Sequence, residues 1–189
     1  MNAGNLSNPY FKTFYISKEE SNCPLIYEII RIGKKFKNLN LNKDINEIII
    51  SLRYGKRILI NSEVSSFGDL KKEDILEIVD YDPIKNILLI IGQKLPNINT
   101  PVHWLVHHAR NDINAVIQIN YRKLDLKSNN IIPITEKESK PGTLEQAKEI
   151  LKQFRSSKQV IIRNQGLIFA GKSIKEIEEA VINTYEELK

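Results

Sequence analysis

The chain has 189 residues, 41% of them hydrophobic and 27% charged, which is the length and apolar content of one core of ordinary domain size. It is too apolar for a disordered chain and, with 8 Gly and 7 Pro, too poor in both for a fibrous one; its longest apolar run, Ile87 to Ile91, is far short of a membrane span. The net charge of +5 is confined to the front, where residues 1–57 hold 10 Lys or Arg against 5 Asp or Glu while the remainder is balanced, so any nucleic-acid or other anion contact would have to come from "KKFK" (Lys34 to Lys37) and "RYGKR" (Arg53 to Arg57).

In chain order, residues 1–22 read as an irregular N-terminal arm. They lack a basic start followed by a continuous apolar stretch, so no secretory leader is expected and the cytoplasm is the expected location. Cys23 is the single cysteine, which excludes an internal disulfide, a CxxC pair and a multi-cysteine zinc site, and nothing beside it in sequence would depress a thiol pKa. Pro24 opens a stretch with Leu25, Ile26, Ile29, Ile30 and Ile32 at helical spacing, ending near the lysine cluster. "EIIISLR" (Glu47 to Arg53) and "RILIN" (Arg57 to Asn61) read as a β-hairpin, "FGDLKKED" as a turn with a short helical piece, and "ILEIVDYD" and "NILLIIG" as two further strands joined around Pro83. The first half is thus predicted to be an antiparallel meander behind one helix.

The second half begins with a helix from Thr100 and Pro101 to about Arg110, then the strand "NAVIQIN" (Asn114 to Asn120) and a polar excursion from Tyr121 to Lys140. Thr143 and Gln146 form a capping-box pattern before a helix that carries Leu144, Ala147, Ile150, Leu151 and Phe154 on one face. "QVIIRNQGLIFAG" (Gln159 to Gly171) reads as two short strands around Asn164 to Gly166. A second capping box, Ser173 and Glu176, opens the last helix, with Ile174, Ile177, Ala180, Val181, Thr184 and Leu188 as its buried stripe. Central strands with helices outside predict a layered α/β/α fold with a largely antiparallel sheet.

The chemistry-bearing residues are few. His103 and His107 stand at i and i+4 on one helix face and could bind a metal, but no third His lies outside that helix, so a buried or interface role beside Trp104 and His108 is the expectation. There is no P-loop, glycine-rich dinucleotide turn, GxSxG elbow or HExxH motif.

The order and spacing of the segments resemble the class II aldolase/adducin family across Pro24 to Glu187. "ISLR...RILIN" is similar to the family's "GNIS-R...lIT" hairpin and "FGDLKKEDILEIVDYD" to "gdL..eDlv.vd". "HWLVHHARNDINAVIQIN" is similar to "lH.aiy.arpDvnavvHtH", "PGTLEQAKEILKQF" to the following helix, and "VIIRNQGLIFAGKSIKEIEEAV" to "vll.nHGl...G.sleeA". The resemblance implies a single domain over residues 23–189. The family contains sugar-phosphate aldolases, an epimerase, a dehydratase and the adducin head domain, so the resemblance speaks to fold more than to function.

Carried over residue by residue, the resemblance implies a degenerate site. The two histidines of "HtH" and the one of "HG", which hold zinc in family enzymes, fall on Gln118, Asn120 and Gln165; carboxamides are poor zinc ligands, so zinc is expected to be absent and no cofactor is expected. The family's proton-transferring Glu falls on Asn99, and the Ser-Ser before it on Asn97 and Ile98. Ile48 and Ile49 stand at its Gly-Asn, and Glu63 and Val64 at a phosphate-holding pair, where Glu63 would repel phosphate. Ser62, Ser65 and Ser66 are candidates for a replacement polar pocket. The resulting expectation is a catalytically inactive binding or assembly module. The alternative is a metal-independent lyase or isomerase acting on a small sugar or sugar phosphate, with Tyr121 or a His as acid/base. Family enzymes are commonly ring-shaped homotetramers, so self-association is expected, with a tetramer favoured and His103, Trp104, His107 and His108 as candidate contacts that would loosen on protonation. A small-molecule ligand is also expected, and neither a membrane nor a nucleic acid.

Overall fold

The computed structural model describes residues 10–39, 45–63, 66–121 and 132–187. Val64, Ser65, Leu188 and half of the polar excursion (122–131) lie outside the described residues. Eight strands form one mixed sheet in the order β1-β5-β4-β3-β2-β6-β8-β7. They are β1 (Lys12–Ser17), β2 (Ile45–Tyr54), β3 (Arg57–Asn61), β4 (Ile75–Asp82), β5 (Ile87–Ile91), β6 (Ala115–Tyr121), β7 (Gln159–Ile162) and β8 (Gly166–Gly171). Four helices, α1 (Ile26–Asn38), α2 (Thr100–Ala109), α3 (Leu144–Gln153) and α4 (Ile174–Glu187), cover it. Every strand pair is antiparallel except β1 with β5, and the predicted meander β2 to β5 is present in order.

The N-terminal arm is the point of correction. Lys12–Ser17 is not irregular but pairs in parallel with β5, Phe14 opposite Leu89 and Tyr15 opposite Ile90. Its alternation is that of a half-covered strand, but its partner lies far along the chain and is chosen by the free edge that β5 leaves.

Period-two alternation sorts the strands onto two cores. On one face, α1 lays Ile26, Ile29, Ile32 and Phe36, each at most 1% exposed, on Ile48, Ile50, Ile117, Ile119, Leu167 and Phe169, where Ile177, Val181 and Tyr185 of α4 join them. Burial of each of these large side chains contributes about 2 kcal/mol. On the other face, Val102 and Val106 of α2 and Ala147 and Ile150 of α3 pack on Val116, Val160, Ile162, Ile168 and Ala170. At Gly166 the two strands come so close that a Cβ would sit 1.9 Å from the Ile119 carbonyl oxygen, so no larger residue fits there.

The basic front does not form a free patch. Lys35 pairs with the buried Glu178 of α4 at 2.5 Å, Lys37 with Asp69 at 2.7 Å and Arg57 with the buried Glu77 at 2.6 Å. The Arg53 guanidinium donates to the carbonyls of His107, Arg110 and Ile113, capping the C-terminus of α2 where main-chain acceptors have no helical partner. Four of the six basic residues in the two clusters are thereby engaged, which leaves little for a polyanion.

Helix α2 is fixed to the sheet by a buried polar seam. Ser51 Oγ lies 2.7 Å from His103 Nδ1 and 2.9 Å from His107 Nε2, and all three residues are fully buried. Desolvation brings both imidazoles down to about 3, so they are neutral in the folded protein. Their unfolded value is near 6.5, so the folded state's advantage is complete above that pH and is lost as the pH falls from 6.5 toward 3. Thermal unfolding should therefore drop between pH 7 and pH 5, at up to about 1.4 kcal/mol per pH unit for each imidazole. A double His103→Gln, His107→Gln variant should show a flatter profile over that range; an equally steep one would assign the acid sensitivity to other groups.

Candidate functional site

The pairing of β2 with β6 assembles a polar cluster at one end of the sheet, on the face that α2 and α3 cover. Glu47, Ile49 and Ser51 alternate along β2, and Gln118 lies opposite Ile49 while Asn120 lies opposite Glu47. The loop leading into α2 supplies Asn97 and Asn99. The Asn120 amide nitrogen donates to Glu47 Oε2 at 3.1 Å, and Asn97 donates to Glu47 Oε1. Gln118 Nε2 donates to Asn120 Oδ1 at 2.9 Å. The Asn97 carboxamide oxygen accepts from the Asn99 backbone N–H at 2.8 Å.

Four of the residues singled out in the sequence, Asn97, Asn99, Gln118 and Asn120, are thus brought together. Gln165 is adjacent in backbone, its carbonyl accepting from the Tyr121 N–H at 2.9 Å. Its side chain, however, turns to α3, where its oxygen accepts from Gln146 Nε2 at 2.6 Å and its nitrogen donates to the Ser139 carbonyl at 2.5 Å. Gln146 therefore does more than the capping box anticipated. Its N–H does bond to Thr143 Oγ1 at 3.3 Å, but its side chain accepts from the Gly142 N–H and holds Gln165.

The remaining candidates separate. Ser62 is fully buried, with no hydrogen-bond partner for its hydroxyl, whereas Ser66 turns to Asp69 at 2.7 Å and leaves the pocket. Tyr121 points to the opposite face of the sheet, its hydroxyl against that of Tyr185 and its pKa raised by burial, so it is not available as an acid or base here. His103 and His107 are interior residues of the protomer, which removes both from any subunit contact; Trp104 is half-buried, edge-on to Tyr81 against the core of Ile58, Leu76 and Leu88, and the exposed His108 stacks on it at 3.7 Å.

The residue that sequence reasoning missed is Glu47. Among the described residues it is the one carboxylate in direct hydrogen-bond contact with the cluster; burial pushes its pKa up, two amide donors oppose that shift, and the Glu63 charge adds to it. A signal was present: a charged residue at the head of an apolar strand, two residues from Ile49 and four from Ser51, faces the same way as they do. Among the described residues, no group of three or more His, Cys, Asp or Glu is arranged to hold a metal ion. What the cluster offers chemically is carboxamide dipoles and one desolvated carboxylate.

The class II aldolase and adducin N-terminal domain model matches residues 27–119 of this sequence. No curated protein matches at a significant level. Among solved structures, an L-fuculose 1-phosphate aldolase superposes with a TM-score of 0.70 at 19% identity, over 87% of this chain and 83% of the other. A sugar-phosphate aldolase from Thermotoga maritima gives 0.65 at 17% identity over 86% and 92%. An L-fuculose-1-phosphate aldolase from Thermus thermophilus gives 0.61 at 18% over 86% and 91%. The sequence match ends on β6, and the structural likeness covers 87% of the chain; residues 27–119 match the class II aldolase/adducin family, and the chain as a whole has that family's fold.

Proposed function

We propose that the protein is a family member that works without the zinc and without the retro-aldol reaction, as a binding or assembly module. One observation carries this reading. The three positions that the family resemblance assigns to metal-binding imidazoles are carboxamides, and each is engaged within the protein: Gln118 with Asn120, Asn120 with Glu47, and Gln165 with Gln146. A neutral amide oxygen is a weak zinc donor beside imidazole. The nearby imidazoles, His103 and His107, are tied to Ser51 in the core. This donor set does not fit zinc. The position of the proton-transferring Glu is held by Asn99, which titrates nowhere useful, and Glu63 brings negative charge to the segment where phosphate would sit.

A second reading, a metal-independent lyase or isomerase on a small sugar, is favoured by one feature: Glu47 is a desolvated carboxylate in the old pocket, the kind of group that moves protons near neutral pH. Self-association, with a tetramer favoured, belongs to the first reading, since a fold kept without its chemistry is most simply kept for its contacts. His108, exposed on α2 and stacked on the half-buried Trp104, is the residue offered for that contact.

Protein purified without chelators should contain well under one zinc per chain by elemental analysis. About one zinc per chain, lost on changing Gln118, Asn120 or Gln165, overturns the proposal, and metal lost only on changing His103 or His107 reveals a different site.

Retro-aldol turnover on ketose 1-phosphates should be undetectable, because loss of a single electrostatic stabiliser already costs about 100- to 1000-fold and several are missing together. Turnover of roughly 1 per second or faster refutes inactivity. Slow turnover abolished by Glu47→Gln supports the second reading.

Light scattering at pH 7.5 should return a multiple of the 21.8 kDa chain mass, reduced by His108→Ala. A monomer mass at micromolar concentration removes the assembly role.

A further inference from the structure

We infer that the polar cluster around Glu47 binds a small polyhydroxylated amine, an amino sugar or amino polyol without a phosphate. The inference rests on the metal-free reading above and names the ligand class of the same site.

The first argument follows the hydrogen-bond directions. An ionised carboxylate only accepts, so Asn97 and Asn120 both turn their NH2 groups to Glu47. Asn120 then presents its oxygen to Gln118, which answers with its nitrogen. Gln118 Oε1 is left on the His103 side, completing no hydrogen bond, on a residue that is fully buried. The same reasoning runs from the far side of the seam. The Ile113 carbonyl can only accept, so His107 carries its proton on Nδ1, 3.3 Å away. His107 Nε2 must then accept the single Ser51 hydroxyl proton, and His103 Nδ1 must donate to Ser51 Oγ. His103 Nε2 is therefore a bare acceptor beside the Gln118 side chain, so that two acceptors stand next to one another and neither completes a hydrogen bond.

Asn99 Oδ1, on a residue only 1% exposed, is a third acceptor without a partner. Native proteins rarely leave buried polar atoms unpaired, because each then loses its water without gaining a partner. Three such atoms, all acceptors, in and beside one cluster call for an occupant that brings hydrogen-bond donors, and vicinal hydroxyls are the compact way to bring several.

Charge supplies the second argument. Among the described residues Glu47 has no ion-pair partner, and the charge that acts on it, Glu63, has the same sign. A desolvated carboxylate without a counter-charge is costly. An ammonium group supplies that charge, while a phosphate meets two carboxylates. Access follows from depth: Gln118, Asn99 and His103 are buried, whereas Glu47, Ile98 and Asn120 are only half-buried. The ammonium therefore sits at the Glu47 rim, with hydroxyls directed to the floor.

The test is calorimetric titration of the full chain with matched trios of three- to six-carbon probes, each trio a neutral polyol or sugar, its amino counterpart and its phosphate ester. Glucose, glucosamine and glucose 6-phosphate are one such trio, and glycerol, serinol and glycerol 3-phosphate another. In at least one trio the amine should bind roughly tenfold or more tighter than its neutral partner, with the phosphate ester weakest. Glu47→Gln should erase the amine preference, whatever it does to neutral binding, and Asn99→Ala should weaken neutral and amine probes alike. A phosphate ester binding tightest, an amine preference that survives Glu47→Gln, no binding in any trio up to about 10 mM, or saturable binding of calcium or magnesium alone lost in Glu47→Gln overturns the inference. Zinc analysis of the same preparation separates the two levels: stoichiometric zinc dependent on Gln118, Asn120 or Gln165 sinks the metal-free reading, whereas zinc-free protein that binds no amine sinks this inference only.

Discussion

Strands β2 and β6 run antiparallel with Ile48 opposite Ile119 and Ile50 opposite Ile117, and because side chains alternate, a slip of one residue would send every apolar group of this pair to the wrong side. That register puts Ile48, Ile50, Ile117 and Ile119 under α1 and α4. On the reverse it lines up Glu47, Ile49 and Ser51 beside Gln118 and Asn120. The apolar face carries the energy that holds the register. The polar face receives its geometry from it.

Ser51 shows how the two are joined. It is a small polar residue in the middle of the sheet, and its hydroxyl meets two imidazoles of α2, while Arg53, two residues on, caps the end of the same helix. Buried neutral imidazoles are tolerable when each has a hydrogen-bonded neighbour. The seam fixes both the position and the rotation of α2 on the sheet, and the loop that enters α2 then delivers Asn97 to Glu47. The polar cluster is therefore a consequence of how α2 is anchored, and not an independent addition.

The contrast with an imidazole-metal centre is one of hydrogen-bond polarity. A metal site gathers lone pairs around a cation. Here amides and a carboxylate gather and pair with one another, the carboxylate orienting the amides in sequence from Asn120 to Gln118. The family fold accommodates this because its backbone requirements lie elsewhere, in the close approach at Gly166 and in the two apolar cores.

Periodicity in the chain was sufficient for the elements after the N-terminal arm and for the layered arrangement, because alternation and 3.6-residue spacing are local and the apolar residues here keep to both. The hairpin β2–β3, the strand pair β4–β5, helix α2 and the turn before β8 were all legible for that reason. The carboxamides at Gln118, Asn120 and Gln165 were legible as positions but not as partners. Tertiary structure decided what depends on distant segments meeting: the parallel seat of β1 on β5, the rotation of the Gln165 side chain toward Gln146, the turning of Tyr121 to the opposite face, and the burial of His103 and His107 against Ser51. It also decided the role of Glu47. In the sequence Glu47 is one of 23 acidic residues at the start of an apolar run; only the register with Asn120 and the approach of Asn97 make it the desolvated centre of a site, since desolvation is a property of surroundings that no single stretch of chain contains.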